Sequence, residues 1–193
     1  MDLATPLVVV PLAWLVVRVR DDRPMSTAAT LLFLLFASAW VLGQGMHLAA
    51  NSIGHLLDEH GQAPLERLVY FFDERLGHYA WHAGVVGFSA MAIVRQARNP
   101  FTGWPSGLRA ELVGGVLYGV VFFLMVIEGQ TTPLGIPFAA LAVVAILIAG
   151  YGRMREMPVL GFFLAGYAVM LLLVAGWAAY WHGLPQFSDV GLL

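Results

Sequence analysis

The chain has 193 residues, 60% of them hydrophobic and 11% charged, with a net charge of −2. A water-soluble domain of this length needs a larger charged surface, so the composition points to lipid as the solvent. There is no cysteine, which excludes disulfides, thiolate nucleophiles and cysteine-ligated zinc or iron–sulfur clusters. All 10 basic residues are arginine, so Schiff-base chemistry has no lysine to use, and no basic patch argues for nucleic acid.

A hydrocarbon core of about 30 Å needs roughly 20 apolar residues per helix. Six apolar runs come near that length, which predicts an all-α, polytopic transmembrane bundle forming a single membrane domain. The first, Leu3–Val19, contains Pro6 and Pro11 and precedes the positive charges of Arg18, Arg20 and Arg23. A cleaved signal peptide has the opposite layout, so this run reads as a retained helix. The second, Ala28–Leu56, turns polar in its last third; it projects beyond the hydrocarbon or breaks near Gly43 and Gly45. Residues 58–77 follow, with apolar positions at helical spacing from Pro64 to Phe72. They read as an interfacial helix on the outer leaflet, or as a loop with a hydrophobic plug.

The remaining runs are His78–Ile93, Leu112–Ile127, Leu134–Tyr151 and Pro158–Trp181. Gly84 and Gly87 in the third run, and Gly114, Gly115 and Gly119 in the fourth, are expected to permit close helix packing. Tyr79, Trp81, Trp177, Tyr180 and Trp181 fall where an outer aromatic belt would form. The arginines set the orientation. Arg18, Arg20 and Arg23, then Arg95, Arg98 and Arg109, then Arg153 and Arg155 occupy alternate breaks, whereas Arg67 and Arg75 lie after run two. The positive-inside rule then makes those breaks cytoplasmic and puts both termini outside. An Ala-, Gly-, Val- and Arg-rich composition without lysine fits a prokaryotic cell membrane.

All six histidines fall toward the outer ends of the spans or between them. His47, Asn51 and His55 are spaced i, i+4, i+8, and so are Glu74, His78 and His82, so each set lines one helical face. Gln44 extends the first stripe inward by one turn. Antiparallel helices joined across residues 58–77 would bring the two stripes together. His182 ends run six and Glu128 ends run four at the same depth, while His60 reads as an interfacial residue. Ionisable groups in spans are costly unless paired, and imidazoles with a carboxylate suit a divalent metal.

The metal ligands expected are His47, His55, His78, His82 and His182. Glu128, Glu74 and Asp73 are candidates for a ligating or general-base carboxylate, and Asn51 and Gln44 for weak or orienting contacts. Zinc or iron fits best, with copper or a haem held by two histidines as alternatives. The expected function is a membrane metallohydrolase acting on a lipid or lipid-like small molecule. The alternatives are a di-iron, copper or haem oxidoreductase, and a non-enzymatic subunit, sensor or transporter. A second copy of the chain or a membrane subunit would be the natural protein partner. The almost wholly apolar cytoplasmic halves of the spans argue against a transport pathway.

Overall fold

A computed structural model describes residues 5–18, 24–57, 63–101 and 108–192. Of the described residues 86% are helical and none is in a strand. The helices are α1 (Thr5–Arg18), α2 (Thr27–Leu57), α3 (Ala63–Tyr70), α4 (His78–Arg98), α5 (Leu108–Glu128), α6 (Thr132–Gly150) and α7 (Pro158–Trp181). A π-helical segment, Phe71–Gly77, lies between α3 and α4, and a short 3-10 turn, Met154–Glu156, precedes α7. Among the described residues, four helices are long and apolar enough to cross a membrane: Thr27–Gly54 of α2, Ala110–Glu128 of α5, α6 and α7. At 14 residues, α1 is shorter than the roughly 20 that a bilayer core requires.

The second run does not break at its glycines, because α2 is continuous from Thr27 to Leu57. The stretch that reads as an interfacial helix or a plugged loop is helical from Ala63 and merges with the next helix. Its junction residues keep helical dihedrals, φ −55°, ψ −41° at Tyr70 and φ −63°, ψ −45° at His78. His60 lies outside the described residues, as does the side chain of His55.

The chain forms two compact units, one of residues 1–16 and 23–88, the other of residues 17–22 and 89–193; α4 contributes its first half to one and its second half to the other. In the first unit, α2 runs antiparallel to the helix that begins at Ala63. Gly54 faces Val69, Gly43 faces Gly77 and Trp81, Gly84 faces Trp40, and Gly87 lies against the ring of Phe36. A Cβ at Gly84 would come within 2.5 Å of the Trp40 Cβ, and one at Gly87 within 2.1 Å of the Phe36 ring. The expectation of close packing at these two glycines holds.

The second unit is built on α5, α6 and α7. Gly115 and Gly119 of α5 form a small-xxx-small seam on α7, the arrangement that lets membrane helices approach closely. A Cβ at Gly115 would meet the Phe162 carbonyl oxygen at 2.3 Å, and one at Gly119 the Gly166 carbonyl oxygen at 2.2 Å. The α6 face used for packing is also small, with Gly135, Ala139, Ala142 and Gly150 buried alongside Ile146. Pro158 starts α7, where its missing N–H costs nothing. The buried Gln96 side chain accepts the next free donor, the Val159 N–H, at 3.1 Å.

Away from these seams, large apolar side chains such as Leu117, Leu141, Ile148 and Leu172 face outward. The polar groups turn inward instead: Ser89 Oγ, Tyr118 Oη and Tyr167 Oη form a chain with 3.1 Å links, ringed by Phe122, Phe138, Phe162 and Phe163. Such hydrogen bonds between membrane helices are worth about 0.6 kcal/mol on average and about 1.7 at most. Tyr167→Phe is therefore expected to destabilise the bundle by about 1 kcal/mol, read as a small loss in an equilibrium unfolding titration in detergent.

Candidate metal centre

The two helices of the first unit touch where neither carries a side chain. A Cβ on Gly43 would lie 2.2 Å from the Trp81 nitrogen and 2.6 Å from the Gly77 carbonyl oxygen. One on Gly77 would lie 3.2 Å from the His47 nitrogen and 3.3 Å from the Gly43 oxygen. In an antiparallel pair, a residue one turn after one glycine faces a residue one turn before the other. His47 follows Gly43 by four residues and Asp73 precedes Gly77 by four, and the His47 Nδ1 meets the Asp73 Oδ1.

The π segment brings in His78. In an α-helix, residues five apart are separated by about 140° around the axis. The wider π turn, closed by i→i+5 hydrogen bonds, shrinks that angle. Its signature is here: the His78 N–H donates to the Asp73 carbonyl five residues back. Donor atoms of His47, Asp73 and His78 all lie within 4.8 Å of one another. The rings of His47 and His78 are 4.5 Å apart, and Glu74 Oε2 is 3.4 Å from His78 Nδ1. His78 Nδ1 and Glu74 Oε2 are both buried, and neither completes a hydrogen bond among the described residues.

Trp81 and His82 form the inner wall. Trp81 stacks near His47 and His78 at 6.0 and 6.3 Å and contacts His82 at 5.4 Å. His82 is 1% exposed, 6.0 Å from the His78 ring. Gln44 is also buried, one turn inward of His47 on α2. Outward of the cluster opens a cleft of about 360 Å³, lined by Gly54, Glu66, Arg67, Val69, Tyr70, Asp73 and Glu74. Asp73 thus belongs both to the ligand group and to the cleft.

The other expected site residues are placed differently. Asn51 is exposed, so the α2 stripe delivers His47 and turns away one turn later. His182 is exposed and ends α7 in a left-handed conformation, φ 54°. The Glu128 carboxylate accepts the Phe187 N–H at 2.8 Å, holding the C-terminal segment against α5, where Phe187 packs on Phe123 and Trp177. None of these three belongs to the group formed by His47, Asp73 and His78. Trp81 was not among the expected site residues; its spacing of three from His78 puts it on the same helical face and could have shown its place beside the cluster. Gly77 was hidden in a stretch read as lying outside a span.

Comparison with protein families, with curated proteins and with solved structures finds no match for this chain. The site is therefore read from its own chemistry.

The glycine contact is open to a direct test. Gly43→Ala forces a methyl group onto the Trp81 backbone and should cost about 1–3 kcal/mol as overpacking. Thermal unfolding should fall with it, together with any metal the purified protein retains. Gly45→Ala, where a Cβ meets open space, should change neither.

Proposed function

We propose that this chain is a six-span membrane metalloprotein that binds a divalent transition-metal ion through His47, Asp73 and His78 and hydrolyses a lipid or other amphipathic substrate. The observation that carries this reading is three ligand-type side chains, from two packed helices, converging beside a cleft large enough for part of a small molecule. Two imidazoles and one carboxylate form a donor set of the kind catalytic zinc sites use, leaving a coordination position open. The buried, hydrogen-bond-free His78 Nδ1 and Glu74 Oε2 fit an ion better than an empty polar pocket. The 4.5 Å between the His47 and His78 rings leaves no room for a porphyrin, which favours a bare ion over haem.

When bound, such an ion acts as a Lewis acid and activates water at neutral pH. The protein's own groups supply the rest. Glu74 sits beside His78 on the cleft wall, placed to take a proton from an attacking water and return it to a leaving group. The buried His82, with the half-buried Trp81 ring 5.4 Å from it, lines the inner side. Tyr70 and Val69 shape the wall that a substrate would pass.

Six spans add α1 and α4 to the four long apolar helices. The alternation of Arg18–Arg23, Arg95–Arg109 and Arg153–Arg155 supports both termini, and with them the site, facing outward from a cell membrane. A second reading rests on the same donor set. Two histidines and one carboxylate also hold non-haem iron in oxidoreductases.

Metal analysis by mass spectrometry separates the readings. Protein purified without added metal is expected to carry one equivalent, lost in His47→Ala, Asp73→Asn and His78→Ala and kept in His182→Ala. Zinc with ester or amide hydrolysis supports the hydrolase, and redox-active iron moves the assignment to the oxidoreductase. Wild-type protein that binds no metal rejects both.

A further inference from the structure

Of the three carboxylates on the cleft wall, the proposed chemistry uses Asp73 and Glu74 and leaves Glu66 without a role. Glu66 precedes Asp73 by seven residues, about two helical turns or roughly 10 Å along the axis. It does not belong to the group of His47, Asp73 and His78, whose donor atoms lie within 4.8 Å of one another. Yet it is half-buried and lines the same cleft as Asp73 and Glu74, whereas Leu65, Leu68, Phe72 and Leu76 of the same segment face outward. The carboxylates of this segment therefore share its cleft side.

Charge and shape make the cleft receptive to cations. Its wall carries three carboxylates against the single guanidinium of Arg67, which is exposed. Gly54, Val69 and Tyr70 complete it with less polar surface. A cleft with low-dielectric walls and an excess of one sign of charge concentrates counter-ions and speeds their capture. A separate observation lies at its inner end. His78 is 7% exposed, and its Nδ1, which completes no hydrogen bond, lies 3.4 Å from Glu74 Oε2 on the cleft wall. That buried donor atom points to a ligand independently of the acidic row.

We infer that the cleft is the entry path of the divalent metal ion, and that Glu66 captures the ion at the outer end and passes it inward to Asp73 and His78. This rests on the metal-binding reading and adds the route by which the site is filled. Glu66 acts in the encounter and not in the bound complex. It sets how fast the ion arrives, and the inner ligands set how long it stays. A rim charge in such a role changes the association rate and its salt dependence. Salt weakens the effect, because the Debye length falls from about 30 Å at 0.01 M to about 8 Å at 0.15 M ionic strength.

The test uses the full chain in detergent, stripped of metal with a chelator, and Co2+ as the probe. Stopped-flow absorbance gives the association rate constant, and release into excess chelator gives the dissociation rate constant. Mass spectrometry gives the stoichiometry at saturation. Glu66→Gln is expected to slow association several-fold at low salt with dissociation and stoichiometry unchanged, which also shows that the variant folds. Its difference from wild type should shrink as salt rises, and Arg67→Gln should speed association. If Glu66→Gln associates as fast as wild type, the entry path is overturned and the metal site stands. Faster dissociation or lost stoichiometry makes Glu66 a ligand and overturns the inference as well. Wild-type protein that takes up no Co2+ overturns the metal site and the entry path together, whereas uptake with the expected Glu66 effect but no hydrolysis removes only the hydrolase.

Discussion

Everything at the candidate centre depends on two helix backbones meeting at Gly43 and Gly77. Packed helices normally keep their axes about 8–10 Å apart because side chains intervene. With no side chain at the contact, the backbones close up until a Cβ on Gly43 would overlap the Trp81 nitrogen. Short side chains one turn away can then bridge the gap. Aspartate reaches an imidazole with a single methylene, and it does so here because His47 and Asp73 lie one turn to the same side of the glycine contact. The π segment supplies the remaining rotation, placing His78 on the azimuth of a residue five positions earlier. Single-turn π insertions in helices often mark functional sites because they re-aim side chains without ending the helix.

Much of this was legible in the sequence, for definite reasons. Run length and apolarity located the long helices, since lipid imposes a minimum span. The i, i+4 spacing of Glu74 and His78 on one helix, and the position of His47 on the preceding one, pointed to a shared site. The π segment was not legible. An extra residue in a turn leaves no mark on the apolar pattern, and Phe71–Gly77 contains acidic and basic residues that resemble a polar break. For the same reason Asp73 looked interchangeable with Glu74, although winding gives them different partners, His47 for one and His78 for the other. Glu128 shows the other limit. Depth in a bilayer can be read from a sequence, but a carboxylate's partner cannot, and here it is the Phe187 N–H.

The same solvent logic runs through both units. In water, a helix with half-buried carboxylates and exposed leucine and phenylalanine would unfold or aggregate. In lipid it is the economical arrangement, because apolar groups gain nothing by turning inward while polar groups must find partners. The Ser89–Tyr118–Tyr167 chain obeys this rule with neutral groups, each hydroxyl meeting another inside a ring of aromatic side chains. The α2–α3 pair obeys it with ionisable ones. The hydroxyls satisfy one another, whereas Asp73 pairs with His47 and Glu74 lies beside His78.

Charge balance gives the last reason to assign an ion to this cluster. Two carboxylates, Asp73 and Glu74, sit beside two imidazoles, Asp73 meeting His47 and Glu74 Oε2 lying 3.4 Å from His78 Nδ1. Two ionised carboxylates in a poorly solvated site repel each other and carry a desolvation cost of several kcal/mol per ion. A divalent cation would offset both charges and could bind His78 Nδ1 and Glu74 Oε2, which lack hydrogen bonds. The donor set is therefore a group that could hold a metal ion, beside an open cleft.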